Sequence, residues 1–400
     1  MGSIATLDVG AFAITVGKNE WCMNHSDLFL RSDLGDALYF YADDGHGDID
    51  GIEGRFGNAI AIRKPAYVRR LALVRQRLDL LGYSLAGCRR AYEETEWSIW
   101  IDDTDIPTFD ELAAVVCSLT VPDASCAWHG KDICHLILTR LHEEGLVEQE
   151  PARDPFQQDN SIAHELHPYV ILRLLAENVA NHDAEVVWRF DDVVTSGCLD
   201  SETLYEAIPQ QTRWLVVTEG PTDGRILRES LDTLLPELRD FFEFVDMKEN
   251  YPFTGTGNVL QFCKGLIRIH VMNNILVVLD NDTEGRKAYR EIAKLNPPRN
   301  FRVTTLPDLE VCKSVRTIGP SGENREDING RAVAIECFLD IWNDPTDEPV
   351  IRWSNYVEKM DAYQGALINK DQYTLRPRSG DYDTRALRAL WDHLIAVCTA

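Results

Sequence analysis

The sequence has no apolar run of the ~20 residues that a membrane-spanning helix requires, and its mean hydropathy is −0.24. Its first residues lack the basic segment with which a secretory signal peptide begins. We therefore expect a cytoplasmic protein without a membrane partner. The ten cysteines include no CxxC pair, and in a cytosolic protein such cysteines are more often buried apolar side chains than disulfides.

Positive charge is also scarce, since 40 Lys and Arg residues stand against 65 Asp and Glu residues, for a net charge of −25. Proteins that coat nucleic acid are usually basic, because Lys and Arg on the phosphates supply much of their affinity. The composition argues against such a protein but permits an enzyme whose bound divalent cations provide the positive charge. The GxxxxGK[ST] phosphate loop is missing from the sequence, which excludes ATP hydrolysis by that route.

One segment combines cysteine with histidine, but the spacing fits no standard zinc pattern. We favour a helical segment with packed or solvated side chains over a structural zinc site. The residues concerned are Cys126, His129, Cys134, His135 and His142.

Apolar periodicity in the N-terminal half predicts both strands and helices. Residues 4–16 alternate and contain β-formers, which indicates one or two strands. Residues 66–86 carry apolar side chains at steps of three and four, which predicts an amphipathic helix. Residues 109–147 and 161–181 are also expected to be mainly helical.

The predicted helix at 66–86 lies in a basic stretch, where Asp79 is the one acid between Arg63 and Arg90. A solvated face paired with the many acids of the protein is the favoured interpretation, and a phosphate-contacting face is the alternative. On the second interpretation, Arg70 and Arg77 are candidate nucleic-acid contacts, and Lys287 in the C-terminal half is a third.

After residue 213 the pattern changes to short apolar strands alternating with helices. Such alternation predicts a mainly parallel sheet with helices on both faces, an α/β fold. The predicted strands are 214–217, 241–245, 275–279 and 301–305; the predicted helices are 224–238, 258–271 and one that follows residue 285.

Acidic residues follow two of these strands, at the sheet edge where ligands bind in such folds. Glu219 follows the first strand, with Asp223 four residues later, and Asp280 and Asp282 follow the third. One carboxylate pair at 4 Å costs about 4 kcal/mol at an effective dielectric of 20, so the group requires protons or cations. Oxygen ligands without His or Cys suit Mg²⁺ or Mn²⁺. Asp223 or Asp282 alone could be a helix cap, but ExxxD together with DxDxxG is more specific.

The C-terminal stretches VVTEGPTDGRIL and ILVVLDNDTEGRKA resemble the Toprim domain of topoisomerases, primases and OLD-type nucleases. Three further stretches, GSIATLDVGAFAITVGKN, RLALVRQRLDLLGYSLA and VVWRFDDVVTSGCLD, resemble the N-terminal domain attached to HEPN or Toprim modules in bacterial proteins. The resemblance implies an α+β domain over 1–205 with a helical second half and a Rossmann-like Toprim domain over 210–345. A helical extension over 346–400 is expected to pack on the Toprim domain.

The Toprim pattern implies roles for individual residues. Glu219 is implied as the general acid or base, or as a metal ligand, and Asp280 and Asp282 as metal ligands. Asp223 is implied as a ligand of a second metal.

OLD-like nucleases add a later acid and a lysine. Asp327 or Glu336 is the candidate acid, with Asp327 taken as a metal ligand. Lys370 is the candidate catalytic lysine, with an ordinary surface lysine as the alternative.

The resemblance implies a Mg²⁺-dependent nuclease of bacterial anti-phage defence that hydrolyses phosphodiesters by a two-metal mechanism. DNA is favoured over RNA as the substrate, and a homo-oligomer is expected. OLD nucleases carry an ATPase in the same chain, so here a separate ATPase or other partner protein would have to supply it. The alternatives are primase-like nucleotidyl transfer at the same site and a non-catalytic subunit that binds nucleic acid or a nucleotide in a defence complex.

Overall fold

The chain divides into two compact units, Met1–Ile208 and Pro209–Ala400. A computed structural model describes residues 3–42, 52–56, 59–97, 106–122, 131–151, 162–200, 212–245, 256–320, 322–343, 348–373, 375 and 382–400. Cys126 and His129 of the Cys/His segment lie outside these ranges. Within them, no helix has both the length and the apolar character needed to cross a membrane.

The N-terminal unit contains a seven-stranded mixed sheet of order β3-β5-β7-β1-β2-β6, with β4 paired to β5. Helices α1, α3, α4 and α6 share one apolar core with β1, β2 and β7. The hairpin of β1 and β2 confirms the strands predicted over 4–16. The strands are β1 (Ile4–Val9), β2 (Phe12–Lys18), β3 (Leu34–Ala42), β4 (Ile52–Phe56), β5 (Ala59–Arg70), β6 (Lys131–Asp132) and β7 (Glu185–Arg189), and the helices are α1 (Leu71–Leu78), α2 (Leu85–Glu93), α3 (Phe109–Ser118), α4 (Ile133–Glu143), α5 (Ile162–Glu165), α6 (Pro168–Leu175) and α7 (Asp191–Thr195).

The prediction of a single helix over 66–86 was wrong at both ends. Residues 66–70 pair with β7 as the last part of β5, so the helix begins only at Leu71. A π-helical turn over Asp79–Tyr83 contains Gly82 at φ +95°, a conformation that glycine adopts without steric penalty. The chain then starts a new helix, α2, whose N-cap Ser84 accepts a hydrogen bond from the backbone N–H of Gly87 at 3.3 Å.

The prediction that Arg77 contacts nucleic acid was also wrong. Arg77 is fully buried and forms an ion pair with Asp33, which is 3% exposed. Its guanidinium also donates to the backbone oxygen of Leu28 at 3.0 Å. Arg70, in contrast, retains 69% of its side-chain exposure and lies 3.2 Å from Asp183, so its contact with nucleic acid stays a prediction.

A buried histidine makes the stability of the N-terminal unit dependent on pH. His25 is 1% exposed, with Nδ1 3.1 Å from the Tyr169 hydroxyl and Nε2 3.2 Å from Thr15 Oγ1. Burial, aided by the nearby His167, lowers the pKa of His25 from 6.5 to about 3. Between about pH 3 and pH 6.5 the His25 imidazole is therefore protonated in the unfolded chain but neutral in the folded protein. Above pH 6.5 it is neutral in both states.

We expect the His25 contribution to the free energy of unfolding to decrease as pH falls below 6.5, by up to about 1.4 kcal/mol per pH unit. Urea denaturation from pH 7.5 to 5.5 measures it. His25→Gln should remove up to one proton from the pH slope of the wild-type chain. Equal slopes for the two proteins would contradict the assignment.

The C-terminal unit is built on a four-stranded parallel sheet of order β12-β10-β8-β9, as its apolar strands predicted. Helices α9 and α10 cover the face that carries Ile275, Val277 and Leu279. Helices α8 and α11 contact each other through the Trp391 indole, which donates to Ser230 Oγ at 2.9 Å. The strands are β8 (Trp214–Thr218), β9 (Phe242–Phe244), β10 (Asn274–Leu279), β11 (Asn281–Asp282), β12 (Phe301–Thr305), β13 (Val315–Gly319), β14 (Gly322–Glu326), β15 (Ala332–Val333), β16 (Val350–Val357) and β17 (Ala362–Leu367), and the helices are α8 (Pro221–Leu234), α9 (Thr256–Arg268), α10 (Thr283–Ala293) and α11 (Arg385–Thr399).

The predicted helical extension over 346–400 was wrong in its first half. Strands β16 and β17 lie in a second four-stranded sheet of order β14-β13-β16-β17, and α11 is the only α-helix among the described residues of this stretch. Ile351 and Trp353 are buried while Arg352 is exposed, which is the alternation of a strand with one buried face. A two-stranded ladder of β11 and β15 completes the unit.

Candidate metal centre

Two acids of the predicted site follow neighbouring parallel strands. Glu219 follows β8, Asp280 follows β10, and these strands are paired in the centre of the sheet. The chain passes from β8 to β9 on one side and to β10 on the other, and ligands bind at such switch points in open α/β sheets. The backbone N–H of Asp280 donates to Glu219 Oε1 at 3.0 Å, which fixes that carboxylate at the end of β10.

Glycine is required where α10 begins, because the helix is packed tightly against this loop. A Cβ on Gly285 would lie 2.2 Å from the Asp280 carbonyl oxygen and 3.0 Å from Glu219 Oε1. The backbone contact cannot yield to a side-chain movement. The glycine of DxDxxG therefore permits the close approach of α10 to both acids.

Asp282 and Asp223 both act as helix caps, as the alternative interpretation allowed. Asp282 Oδ1 accepts from the backbone N–H of Gly285 at 2.7 Å, at the start of α10. Asp223 Oδ2 accepts from the backbone N–H of Gly220 at 2.9 Å, at the start of α8. Each interaction fixes the orientation of a carboxylate that also belongs to the acidic group, so capping and ligand binding are compatible here.

The carboxylates of the cluster raise one another's pKa values, and the nearby Lys370 offsets only part of this effect. Burial, together with Asp282 and Asp223, raises the pKa of Glu219 to about 8. Burial, together with Glu336, raises the pKa of Asp223 to about 7. The pKa of Asp280 lies well above its ordinary value, because of burial first and then its acidic neighbours. As residues, all three are only partly buried.

Of the two candidates for the later acid, the structure brings Glu336 to the cluster. Glu336 is 2% exposed, and its charge acts on both Asp223 and Asp280. Its Oε2 atom is buried and has no hydrogen-bond partner among the described residues. A buried carboxylate oxygen without a donor is costly, and a cation would satisfy it.

Asp327 is held in a different set of contacts. Its Oδ1 atom accepts from the backbone N–H and from the side-chain amide of Asn329, both at 2.9 Å. That Asp327 is a metal ligand therefore stays a prediction, and the charges that act on Asp223 and Asp280 favour Glu336 as the later acid.

Lys370 is the cation that faces the cluster. Burial lowers its pKa, but the carboxylates of Glu336, Asp280 and Asp223 outweigh that effect, and the net shift is upward. The ammonium group is thus charged across the neutral pH range. Lys287 lies nearby on α10, where Nζ is 2.8 Å from Glu284 Oε2, and its contact with nucleic acid stays a prediction.

Sequence reasoning missed Gln364 on β17. Its Nε2 atom donates to Asp282 Oδ2, and its Oε1 atom accepts from the backbone N–H of Glu284 at 3.1 Å. Thr283 Oγ1 donates to the Tyr363 carbonyl oxygen at 3.1 Å. Strand β17 therefore orients the DxDxxG loop, across a separation of 82 residues that leaves no signal in a single sequence.

The donor set fits a hard divalent cation, because it consists of carboxylates with no His or Cys. The carboxylate oxygens of the cluster are further apart than the ligands of a bound ion. Among the described residues, only Asp132, Cys134 and His164 bring three ligand atoms within 4.8 Å of one another. The acids at the sheet edge would therefore move closer on binding Mg²⁺ or Mn²⁺.

The Asp132, Cys134 and His164 group is accounted for without a metal ion. The Asp132 carboxylate caps α4 by accepting from the backbone N–H of Cys134 at 2.9 Å, and it lies 3.4 Å from His164 Nε2. Burial raises the pKa of the Cys134 thiol far above its ordinary value.

The family described as HEPN/Toprim N-terminal domain 1 matches residues 1–212, more than half of the 400 residues. Comparison with curated proteins and with solved structures gave no match. The acidic cluster lies beyond the matched residues.

Proposed function

This chain belongs to the HEPN/Toprim N-terminal domain 1 family, and on that basis we propose that its C-terminal unit is a Toprim-type, Mg²⁺-dependent nuclease. The observation that carries the proposal is the meeting of acids at one sheet edge, where Asp280 N–H donates to Glu219 Oε1 at 3.0 Å. We further propose a role in bacterial anti-phage defence, with DNA as the preferred substrate and a separate ATPase as partner.

The residues divide between two cation positions. Glu219, Asp280 and Asp282 would hold one ion, and Asp223 and Glu336 the other. Bound Mg²⁺ would supply Lewis-acid polarisation of the phosphodiester and a more acidic water molecule.

The chain contributes orientation and charge to this site. The hydrogen bonds from Gly285 and Gly220 hold the Asp282 and Asp223 carboxylates in place. Lys370 would bind a phosphate oxygen and offset the negative charge that develops on it.

Labelled single-stranded DNA, duplex DNA and RNA, each incubated with the full chain and Mg²⁺, test the proposal. We expect shortened products that EDTA abolishes, and DNA cut faster than RNA. New polymer from labelled nucleotides on a template would replace hydrolysis with primase-like transfer. Metal-dependent binding without any product would make the unit a binding subunit.

Gln364→Leu should weaken the site without removing a ligand. It retains the approximate size of the side chain but loses both hydrogen bonds to the loop. We expect the Mg²⁺ concentration for half-maximal cleavage to rise by about 10- to 100-fold, as for other residues that orient metal ligands.

A Mg²⁺ titration of initial cleavage rates measures this effect. Gln261→Leu is the matched control, because Gln261 is an exposed residue of α9. A Gln364→Leu protein with the wild-type Mg²⁺ dependence would show that β17 does not orient the loop.

A further inference from the structure

We infer that a cavity beside the acidic cluster is a subsite for the backbone phosphate of a single nucleic-acid strand, an inference that rests on the proposed function. The cavity has a volume of about 290 Å³. It is lined by Arg286, Tyr289, Arg290, Thr304 and Thr305.

The cavity lies at the same sheet edge as the acids. Thr305 ends β12 and is the register partner of Leu279, the residue before Asp280. Neighbouring strands are about 4.8 Å apart, so the subsite is one strand away from the acidic cluster. Helix α10 starts directly after the acidic loop. Arg286, Tyr289 and Arg290 are three and four residues apart on this helix, so their side chains lie on the same side of it. A strand whose phosphodiester reached the acids would place a neighbouring phosphate over this helix.

The two arginines have no acidic partner in the described part of the chain, although acids outnumber bases by 65 to 40. On the same helix, Lys287 and Lys294 each lie 2.8 Å from a glutamate. Arg290 Nη1 instead contacts the Met360 sulfur at 3.2 Å. Guanidinium groups bind phosphate through two parallel hydrogen bonds, and these two remain available for that contact.

Other parts of the fold hold the cavity in shape. Gly330, at φ +73°, leaves room for Arg286, because a Cβ there would lie 2.0 Å from its Nη1 atom. Thr304 is 7% exposed, and its hydroxyl lies 2.9 Å from His393 Nε2 of α11. Arg286 is therefore positioned against the backbone of Gly330, and the end of β12 is anchored by α11 from the other face of the sheet.

Tyr289 makes a single strand the expected ligand. Its side chain is 40% exposed at the rim of the cavity. An aromatic ring beside cationic groups is the combination on which the bases of single strands stack. In a duplex the bases are already stacked on one another, so the ring would contribute little.

The test measures binding of a fluorescent single-stranded oligonucleotide to the full chain by anisotropy, at several salt concentrations, in Mg²⁺. Asp280→Asn is present throughout to prevent turnover. Arg286→Gln with Arg290→Gln should lower affinity at least tenfold and reduce the slope of log K against log salt by about 0.7 for each phosphate that is no longer neutralised. Lys264→Gln with Lys294→Gln is the control, since it removes the same charge from positions around Glu291.

The arginine and lysine double variants should both unfold at the same urea concentration as the Asp280→Asn protein. If both then change the slope of log K against log salt equally, the subsite is overturned. Tyr289→Leu should weaken single-strand binding more than duplex binding; equal reductions would overturn the single-strand assignment.

Cleavage by the chain that retains Asp280 separates the two proposals. If the arginine double variant cleaves DNA with an unchanged KM, the nuclease proposal stands and the subsite proposal fails. A reduced salt slope without cleavage by the wild type leaves the subsite and removes the nuclease.

Discussion

Asp280→Asn is expected to reduce Mg²⁺-dependent cleavage by at least about 10³-fold, since it removes a charged ligand from a site that acts electrostatically. The same substitution should stabilise the metal-free protein. The pKa of Asp280 is raised by burial and by neighbouring acids, so its ionised form destabilises the fold at pH values above the unfolded pKa of about 3.9. An uncharged amide does not, and we expect the free energy of unfolding to increase by about 1 kcal/mol or more at pH 8.

Urea denaturation in EDTA measures the stability of the metal-free proteins, and the same experiment in Mg²⁺ measures how much the metal ion stabilises each of them. Wild type should gain about 2.7 kcal/mol when Mg²⁺ is a hundredfold above its Kd, and the variant should gain less. Asp392→Asn is the control, because it makes the same chemical change on the exposed side of α11. Retained cleavage, or a variant less stable than wild type in EDTA, would count against the acidic site.

Arg77→Met is expected to destabilise the N-terminal unit by about 3 kcal/mol. The substitution leaves Asp33 as a buried charge, and it removes the donor to the Leu28 carbonyl oxygen. Arg69 remains, with Nε 3.2 Å from Asp33 Oδ1, which keeps the destabilisation at the lower end for a broken buried pair.

Equilibrium urea denaturation at pH 7.5 measures the Arg77 effect. Arg70→Met is the matched control, because its partner Asp183 is 91% exposed, and exposed ion pairs contribute little to stability. Similar destabilisation of the two variants would show that the buried ion pair contributes no more to stability than the exposed one. Arg77→Met should also leave the salt dependence of nucleic-acid binding unchanged, because the side chain does not reach the surface.

The parallel sheet of the C-terminal unit could be predicted because its strands are continuous apolar runs. Strand β10 is buried from Ile275 to Leu279 on both faces, a pattern that surface strands do not show. Once the strands are parallel, their carboxyl ends meet at one edge. The neighbourhood of Glu219 and Asp280 follows from that geometry, without knowledge of the packing.

Residues whose role depends on distant partners could not be predicted. Gln364 matters because it reaches Asp282, and Glu336 is preferable to Asp327 because the fold buries it where its charge acts on Asp223 and Asp280. Arg77 looked like a surface cation because its partner Asp33 lies 44 residues earlier in the chain.

The wrong helices have a local cause. Short apolar segments satisfy the helical and the strand period equally well. Residues 66–70 form a strand because they pair with β7, and residues 350–357 form a strand because they pair with β13 and β17.

The spread of the acidic site along the chain has a consequence during protein synthesis. Glu219 and Lys370 are 151 residues apart (370 − 219), which a ribosome needs roughly 8 to 30 s to translate at about 5–20 residues per second. During that interval the nascent polypeptide has the first acids but neither the amide of Gln364 nor the ammonium of Lys370. A polypeptide interrupted before residue 364 by a stalled ribosome or a frameshift would therefore carry an incomplete centre, without the amide that orients the Asp282 carboxylate and the ammonium that offsets the charge of the acids.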